Sequence, residues 1–282
     1  MSYPVRTVLG IDAAWTTHNP SGLALAVETD GRWRLHSAFP SYARFYDDDG
    51  DLGVLDADRL LDTAKRLAGH EPDLIAVDMP LAKTLISARR VSDNAVSSHY
   101  GGRGAGTHSP STTRPGLVAL DLLTALTIRG YALATGNPVA GRSLVEVYPH
   151  PALIELLAAP RRLPYKIANR GKYWPALDAA DRRAAIFAQW QLILDALDRV
   201  LPGALTLLPL PDVTASLRSL KAFEDTLDAV ICAWVATSIL DGTARPFGDA
   251  DSAIWVPAPI PVLSQRSASD PSTEPAPQAD RS

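Results

Sequence analysis

Short apolar runs separated by polar turns occupy the first part of the chain, and this pattern predicts strands. Three such runs lie at residues 5–12, 22–28 and 32–39, and a Thr-Asp-Gly turn between the last two predicts a hairpin. A fourth run at residues 74–80 ends in Asp and Pro, and a fifth lies at residues 143–149. These five runs predict the strands of one sheet.

Apolar residues recur at helical spacing between and after the predicted strands. Residues 56–70 predict an amphipathic helix, residues 117–135 an apolar helix, and a further helix begins at PALIELL (151–157). Residues 179–201 and the stretch KAFEDTLDAVICAWVA (221–236) predict two more. A three-stranded meander followed by alternating helices and strands predicts a mixed α/β sheet that is flanked by helices on both faces.

Two segments depart from this alternation. Residues 81–116 are rich in Ser, Thr, His and Arg and contain GGRGAG, so we expect a partly irregular helical insertion there. Residues 257–282 consist mainly of Pro, Ser, Ala and charged residues, which is typical of a disordered tail. We therefore expect one domain over residues 1–256, followed by the tail.

The composition of the chain excludes some classes of protein but does not identify one. The 282 residues are 46% hydrophobic and 21% charged, with a net charge of -4, so the overall charge gives no attraction to nucleic acid or to an anionic membrane. The single cysteine, Cys232, excludes an internal disulfide and a cysteine zinc cluster. Neither a secretory signal nor an apolar run of about 18 residues is present, and we expect a cytoplasmic protein without membrane partners.

Acidic residues stand at the ends of predicted strands. Asp12 ends the first strand, Asp78 ends the fourth, and Glu146 lies in the fifth. The first and fourth strands would be parallel neighbours, so Asp12 and Asp78 would emerge side by side at the edge where open α/β sheets build their sites. Crowded carboxylates repel one another unless a cation bridges them, and oxygen ligands favour Mg²⁺ or Mn²⁺.

Two further acids, Asp225 and Asp228, share one face of the last predicted helix with its small residues. That face continues through Ala229, Cys232 and Ala233, and it would let the helix lie close to the sheet. The pair would then join the strand-end acids. Alternatively, the two acids cap the N-terminus of their helix, which predicts that they face their own backbone amides.

Six stretches of the chain carry a resemblance to a known family: GIDAAW (10–15), VDMP (77–80), RRVSD (89–93), VEVYPHPALIELL (145–157), YK (165–166) and EDTLDAVICAWVA (224–236). On these stretches the chain resembles the DUF429 family, described as predicted nucleases of ribonuclease H-like fold, and the order of its elements is also that of ribonuclease H-like domains. The last stretch is similar to the final helix of crossover-junction resolvases. The resemblance matches Glu146 to the glutamate of the family's fifth strand. It also implies a set of metal ligands: Asp12, Asp78, Asp225 and Asp228.

Basic and aromatic residues alternate through RRLPYKIANRGKYW (161–174). Lys166, Arg170 and Lys172 are candidates for phosphate contacts, because such residues neutralise phosphates while aromatic rings stack on bases. A connector whose aromatic side chains dock on the core is the alternative. Arg90 is a further candidate, because its planar fork suits a phosphate, but it could instead form a local ion network.

Other motifs say less about function. The GGRGAG segment is not a phosphate-binding P-loop, since no Gly-Lys-Ser/Thr follows it, and it supplies flexibility or a flap. His150 is either a proton carrier near the metal or a surface or capping residue. Cys232 has the position of a small core residue.

The acids together predict a metal-dependent nuclease, or phosphodiester hydrolase, which uses Mg²⁺ or Mn²⁺ bound by Asp12, Asp78, Asp225 and Asp228, with Glu146 adjacent. Nucleic acid or a nucleotide would be its partner. A module that keeps the fold and binds a partner without catalysis is one alternative. An actin-like nucleotide phosphotransferase is another, which the single domain's worth of strands disfavours.

Overall fold

A computed structural model describes residues 5–16, 19–50 and 53–260 of the chain. The strands are β1 (Thr7–Asp12), β2 (Gly22–Thr29), β3 (Arg32–Phe39), β4 (Leu74–Val77), β5 (Ala132–Leu133), β6 (Ser143–Val147), β7 (Ala244–Gly248) and β8 (Ala253–Pro257). The helices are α1 (Tyr42–Tyr46), α2 (Ala57–Ala68), α3 (Val91–Tyr100), α4 (Leu117–Ile128), α5 (Pro149–Leu156), α6 (Arg170–Tyr173), α7 (Ala179–Val200), α8 (Ala204–Leu207) and α9 (Leu217–Leu240).

Within the described ranges the eight strands form one mixed sheet. The order across it is β3-β2-β1-β4-β6-β8-β7, and β5 pairs with β6 away from this path. Strands β1 to β3 form an antiparallel meander, whereas β1, β4, β6 and β8 run parallel to one another. The predicted mixed sheet is therefore confirmed, and β5, β7 and β8 are added to the five strands that the sequence indicated.

Helices cover both faces of the sheet, as the alternation of apolar side chains requires. On one face Val8 belongs to a core that includes residues of α5, α7 and α9. On the other face its neighbour Leu9 packs with residues of α1, α2 and α4. Both residues are fully buried, because successive side chains of a central strand point to opposite faces.

Helix α9 lies directly on the backbone of the meander. A Cβ atom added to Gly10 would stand 2.1 Å from the carbonyl oxygen of Ala229 and 2.4 Å from the backbone nitrogen of Ala233. A Cβ added to Gly22 would stand 2.1 Å from the carbonyl oxygen of Asp225. Glycine in the strands and small residues in the helix thus permit a contact that any larger pair would prevent, which confirms the role predicted for the small-residue face.

The boundaries of three predicted segments differ in the structure. The helix predicted over residues 117–135 ends at Ile128, because the chain turns at Gly130 with a φ of +89° and then forms β5. The insertion at residues 81–116 contains α3, a regular helix of ten residues. Pro257, the first residue of the predicted tail 257–282, is the last residue of β8, and residues 261–282 lie outside the described part.

No helix in the part of the chain that the structure describes has the length and apolar character that a membrane crossing requires.

Candidate metal centre and its cleft

The strand-end acids meet as their strands predict. β1 and β4 are parallel neighbours in which Ile11 pairs with Val77, so Asp12 and Asp78 occupy adjacent positions at the end of the pair. The backbone N–H of Asp78 donates a hydrogen bond of 2.8 Å to the carbonyl oxygen of Ile11. This bond extends the ladder by one residue and holds the two side chains at the same edge.

Asp228 of α9 completes a group of three carboxylates. One oxygen each from Asp12, Asp78 and Asp228 lies within 4.8 Å of the others. Asp228 is fully buried, whereas Asp12 and Asp78 are partly exposed. In an octahedral Mg²⁺ site, neighbouring ligand oxygens are about 3.0 Å apart and opposite ones about 4.2 Å, so a bound ion would draw these three oxygens closer together. The donors present therefore fit a hard divalent cation.

The raised pKa values of Asp12 and Asp78 show that the group favours a cation. Burial, followed by the charges of Asp228, Asp225 and Asp78, raises the pKa of Asp12 well above its ordinary value. Burial also raises the pKa of Asp78 to about 7, and Lys166 opposes this rise while Asp228 adds to it. Without a cation, burial and mutual repulsion favour the protonated form of these two side chains over the charged form.

Lys166, predicted to contact a phosphate, lies inside the carboxylate group. Its ammonium pairs with Oδ2 of Asp228 and lies 3.7 Å from Oε1 of Glu224. The hydroxyl of Tyr165 donates a 2.7 Å hydrogen bond to Oδ1 of Asp228. Burial acts to lower the pKa of Lys166, but the charges of Asp228, Tyr165 and Glu224 outweigh it and raise that pKa well above its usual range. The lysine is thus an internal counter-ion for the acids.

Asp225, predicted as a fourth ligand, lies beside the three-carboxylate group. It lines the same cleft but pairs with Lys221, one helical turn earlier on α9. Lys221 also lies 3.0 Å from Oε1 of Glu224, whose Oε2 accepts the backbone N–H of Ile167 at 2.5 Å. Glu224 is almost fully buried. Sequence reasoning did not select Glu224 as a site residue, although it directly precedes Asp225 in the chain.

Glu146 and Arg90 form a separate buried ion network. The Arg90 guanidinium binds both oxygens of Glu146, at 2.5 and 2.8 Å, and both oxygens of Asp93, at 2.9 and 3.0 Å. It also donates to the carbonyl oxygen of Leu81 at 2.7 Å, so each of its five N–H groups has a partner in the protein. This geometry corresponds to the local ion network and leaves Arg90 no donor for a phosphate.

Glu146 itself faces this network and not the metal group. Besides Arg90, its Oε2 accepts the backbone N–H of Leu81 at 2.7 Å. Burial raises the pKa of Glu146 to about 7, while Arg90 works in the opposite direction. The charge of Glu146 contributes to the raised pKa of Asp78, so the two carboxylates are electrostatic neighbours. Glu146 thus anchors the segment that leaves β4.

The other basic candidates of the 161–174 segment lie outside the cleft. Arg170 donates to the carbonyl oxygen of Ile167 at 2.8 Å, and Lys172 is exposed. Neither lines the cavity that contains the acids. Basic side chains do line it, and they include Arg162, which belongs to the same basic and aromatic segment, and Arg114, which sequence reasoning did not single out.

A cleft of about 790 Å³ opens above the carboxylates. The acidic residues that line it include Asp12, Asp78 and Asp225. The remaining lining includes His108, Arg114, Tyr148, His150, Arg162 and Lys166. His150 is neither a surface nor a capping residue: it is 95% buried, and burial, followed by the charge of Arg162, lowers its pKa well below the ordinary value. A volume of this size suits a small ligand or a short segment of a polymer.

The capping explanation for the acids of α9 is wrong. The helix begins at Leu217, and the side chain of Ser216 accepts the backbone N–H of Ser219 as its N-cap. Asp225 and Asp228 therefore lie more than two turns inside the helix, where no free amides remain. Cys232, deeper in the same face, is fully buried as predicted for a core residue.

Fold and site together define an α/β protein with a carboxylate-lined cleft at the edge of a mixed sheet. A family model described as "Protein of unknown function (DUF429)" matches residues 10–253, and the chain belongs to this family. Comparisons with curated proteins and with solved structures found no match.

Proposed function

We propose that this DUF429 protein is a metal-dependent phosphodiester hydrolase, a nuclease, which acts in the cytoplasm on nucleic acid or a nucleotide. The observation that carries the proposal is the group formed by Asp12, Asp78 and Asp228, whose oxygens lie within 4.8 Å of one another. Three separate segments supply these carboxylates, and an open cleft lined by Asp12 and Asp78 gives a substrate access to the group. Buried acids without such a purpose would destabilise the fold.

The topology supports a ribonuclease H-like arrangement for this fold. An antiparallel meander, β1 to β3, continues into the parallel neighbours β4 and β6, and the long helix α9 packs on the central strands. The acids lie at the carboxyl ends of β1 and β4, where parallel sheets place ligands. This combination is the one that the family resemblance implied.

The residues suggest how the reaction would be supported. Bound Mg²⁺ or Mn²⁺ would supply Lewis-acid activation of a water and of a phosphoryl oxygen. Asp12, Asp78 and Asp228 would hold the ion, and each oxygen of Asp228 can keep its present hydrogen bond because it has a second lone pair. Lys166 faces the same group and would offset negative charge that develops on the phosphate.

The balance of charge favours a single divalent ion. The cluster contains more acidic than basic side chains: Asp12, Asp78, Glu224, Asp225 and Asp228 against Lys166 and Lys221. With all seven groups ionised the net charge is about −3, which one divalent ion reduces to about −1 and two would reverse. We therefore propose one ion, with Lys166 at the position that a second ion would otherwise take.

Metal titration tests the proposal directly. Isothermal titration with Mn²⁺ should show one site in the wild type and none in Asp12→Asn, whereas Asp62→Asn, an exposed aspartate on α2, should bind like the wild type. The same proteins should then be assayed on single- and double-stranded DNA, RNA and branched DNA. Cleavage that requires Mn²⁺ and Asp12 would support the proposal. Equal Mn²⁺ binding by wild type and Asp12→Asn, or no binding by either, would refute it.

A binding module without catalysis is the second candidate, and one observation favours it. Tyr165 and Lys166 already satisfy both oxygens of Asp228, so the acids have counter-charges without any metal. Under this alternative the cleft binds a partner while the acids and Lys166 form a structural network. Mn²⁺ affinity with no turnover on any phosphodiester would favour the binding module over the hydrolase.

A further inference from the structure

The lining of the cleft that contains the acids also carries positive charge without carboxylate partners. Arg114 and Arg162 both line the cleft, and in the described part of the chain neither forms an ion pair with an acid. By contrast, Arg6, Arg90 and Arg103 each pair with a carboxylate. A cation that lines a cavity without a protein partner is available to an anion from solution.

Two buried nitrogens of residues that line the cleft also lack partners. Nε of Arg162 and Nδ1 of His150 are buried and make no hydrogen bond to the described residues. His150 is 5% exposed, and its ring packs edge-on against Tyr148 and Tyr165. Buried nitrogens without partners cost stability unless a ligand binds them.

The two arginines reach the cleft from different segments. Arg114 stacks on Trp15, with its guanidinium carbon 5.3 Å from the ring centroid. Arg162 comes from the segment that leads to Tyr165, and its backbone N–H donates to the carbonyl oxygen of Arg103 at 2.8 Å. Stacking and backbone bonding fix these segments while the polar ends of both side chains remain available. His108 also lines the cleft and adds a further polar side chain.

We propose that Arg114, Arg162, His108 and His150 form a subsite for a second, non-scissile phosphate of the substrate. The inference rests on the proposed function, since the carboxylate group would hold the scissile phosphate through its metal. A sphere of the cleft's 790 Å³ is about 11 Å across, which is wide enough for a nucleotide that carries a phosphate on each side of its sugar. The cleft therefore accommodates two phosphates of one ligand.

Binding of defined probes tests the subsite. Thymidine 3′,5′-bisphosphate and thymidine 5′-monophosphate differ by one phosphate, and neither contains a phosphodiester that the enzyme could cleave. In saturating Mn²⁺, calorimetry should show that wild type binds the bisphosphate at least about tenfold more tightly, the effect of one charged hydrogen bond. Arg162→Gln should remove this preference, and Arg162→Lys should restore part of it.

Arg161→Gln is the matched control, because Arg161 precedes Arg162 in sequence but is exposed and does not line the cleft. It should keep the wild-type preference for the bisphosphate. Arg114→Gln, on another segment, should weaken that preference independently, so that misfolding of one variant does not decide the result. Equal affinities of the two probes in wild type, or equal losses in Arg161→Gln and Arg162→Gln, would overturn the subsite.

The experiment separates this inference from the proposed function. Mn²⁺ titration of Arg162→Gln should match the wild type, because Arg162 is not a ligand. If Mn²⁺ binds to wild type but the bisphosphate has no advantage, only the subsite fails. If Mn²⁺ does not bind, the proposed function fails, and the preference measured without Mn²⁺ still decides the subsite.

A third probe identifies the source of the second phosphate. Thymidine 5′-diphosphate joins its phosphates by an anhydride, as in a free nucleotide, whereas the 3′,5′-bisphosphate spaces them across the sugar, as in a strand. A preference that depends on Arg162 and is larger for the bisphosphate assigns the subsite to a nucleic-acid backbone. A larger preference for the diphosphate assigns it to a free nucleotide, and either result supports a second-phosphate subsite.

Discussion

Replacement of Asp78 by asparagine should stabilise the protein in the absence of metal. Burial raises the pKa of Asp78 from its ordinary value of 3.8 to about 7 in the folded protein. Between these two values the folded protein binds more protons than the unfolded chain, so stability falls as the pH rises from about 4 to about 7. An asparagine at position 78 carries no charge and avoids this loss.

The size of the effect follows from the same interval. From 3.8 to about 7, at about 1.4 kcal/mol per pH unit, the buried charge costs about 4 kcal/mol at pH 8. This value is an upper limit, because Asp78 is partly exposed and solvent screens its charge. Even a quarter of it, about 1 kcal/mol, would raise the Tm of a domain of this size by about 2 °C.

Thermal unfolding at two pH values provides the assay. In EDTA at pH 8, Asp78→Asn should unfold at a higher temperature than wild type, and the difference should shrink at pH 5. Asp62→Asn should match the wild type at both pH values. With saturating Mn²⁺ at pH 8 the order should reverse, because wild type gains binding energy that Asp78→Asn has lost. A variant that is no more stable than wild type in EDTA at pH 8, or a difference independent of pH, would refute the reasoning.

Three further predictions concern the surroundings of the site. Gly10→Ala should lower the Tm by several degrees, since its Cβ would enter the backbone of α9, whereas Gly101→Ala, with open space around it, should not. Lys166→Met should destabilise the protein in EDTA and increase its affinity for Mn²⁺ in calorimetry, because an uncompensated acidic group remains. Glu146→Gln should lower the free energy of unfolding in urea by about 3–5 kcal/mol, because it breaks the buried pair with Arg90. The folded variant should retain the Mn²⁺ site, and loss of Mn²⁺ binding would show that Glu146 is a ligand.

The meeting of Asp12 and Asp78 at one edge of the sheet could be predicted, because it depends on short-range sequence patterns. Asp12 and Asp78 end apolar strands whose order makes them parallel neighbours, and their approach follows from strand pairing alone. Asp228 could be added because its helix shows a face of small residues. Local sequence therefore contains most of the three-carboxylate group.

The walls of the cleft could not be predicted, because they depend on how long segments fold over the sheet. Arg114 has no sequence signal of its own, and Arg162 shares its basic and aromatic segment with Arg170 and Lys172, which do not line the cleft. Lys166 was singled out for a phosphate, but the same positive charge suits an acid once Asp228 is adjacent. Strand β7 escaped prediction because ARPFG lacks an apolar run, and only its pairing with β8 defines it.

The contact of α9 with Gly10 and Gly22 also determines when the site can exist during synthesis. The ribosome produces Asp12 early, but Asp228 emerges only with the last long helix of the domain. Until that helix docks on the two glycines, a nascent chain has only two of the three carboxylates, Asp12 and Asp78. Lys166, which pairs with Asp228 in the folded protein, is then not held beside them. During synthesis the centre can thus assemble only after α9 has emerged, and a chain released before α9 would lack it.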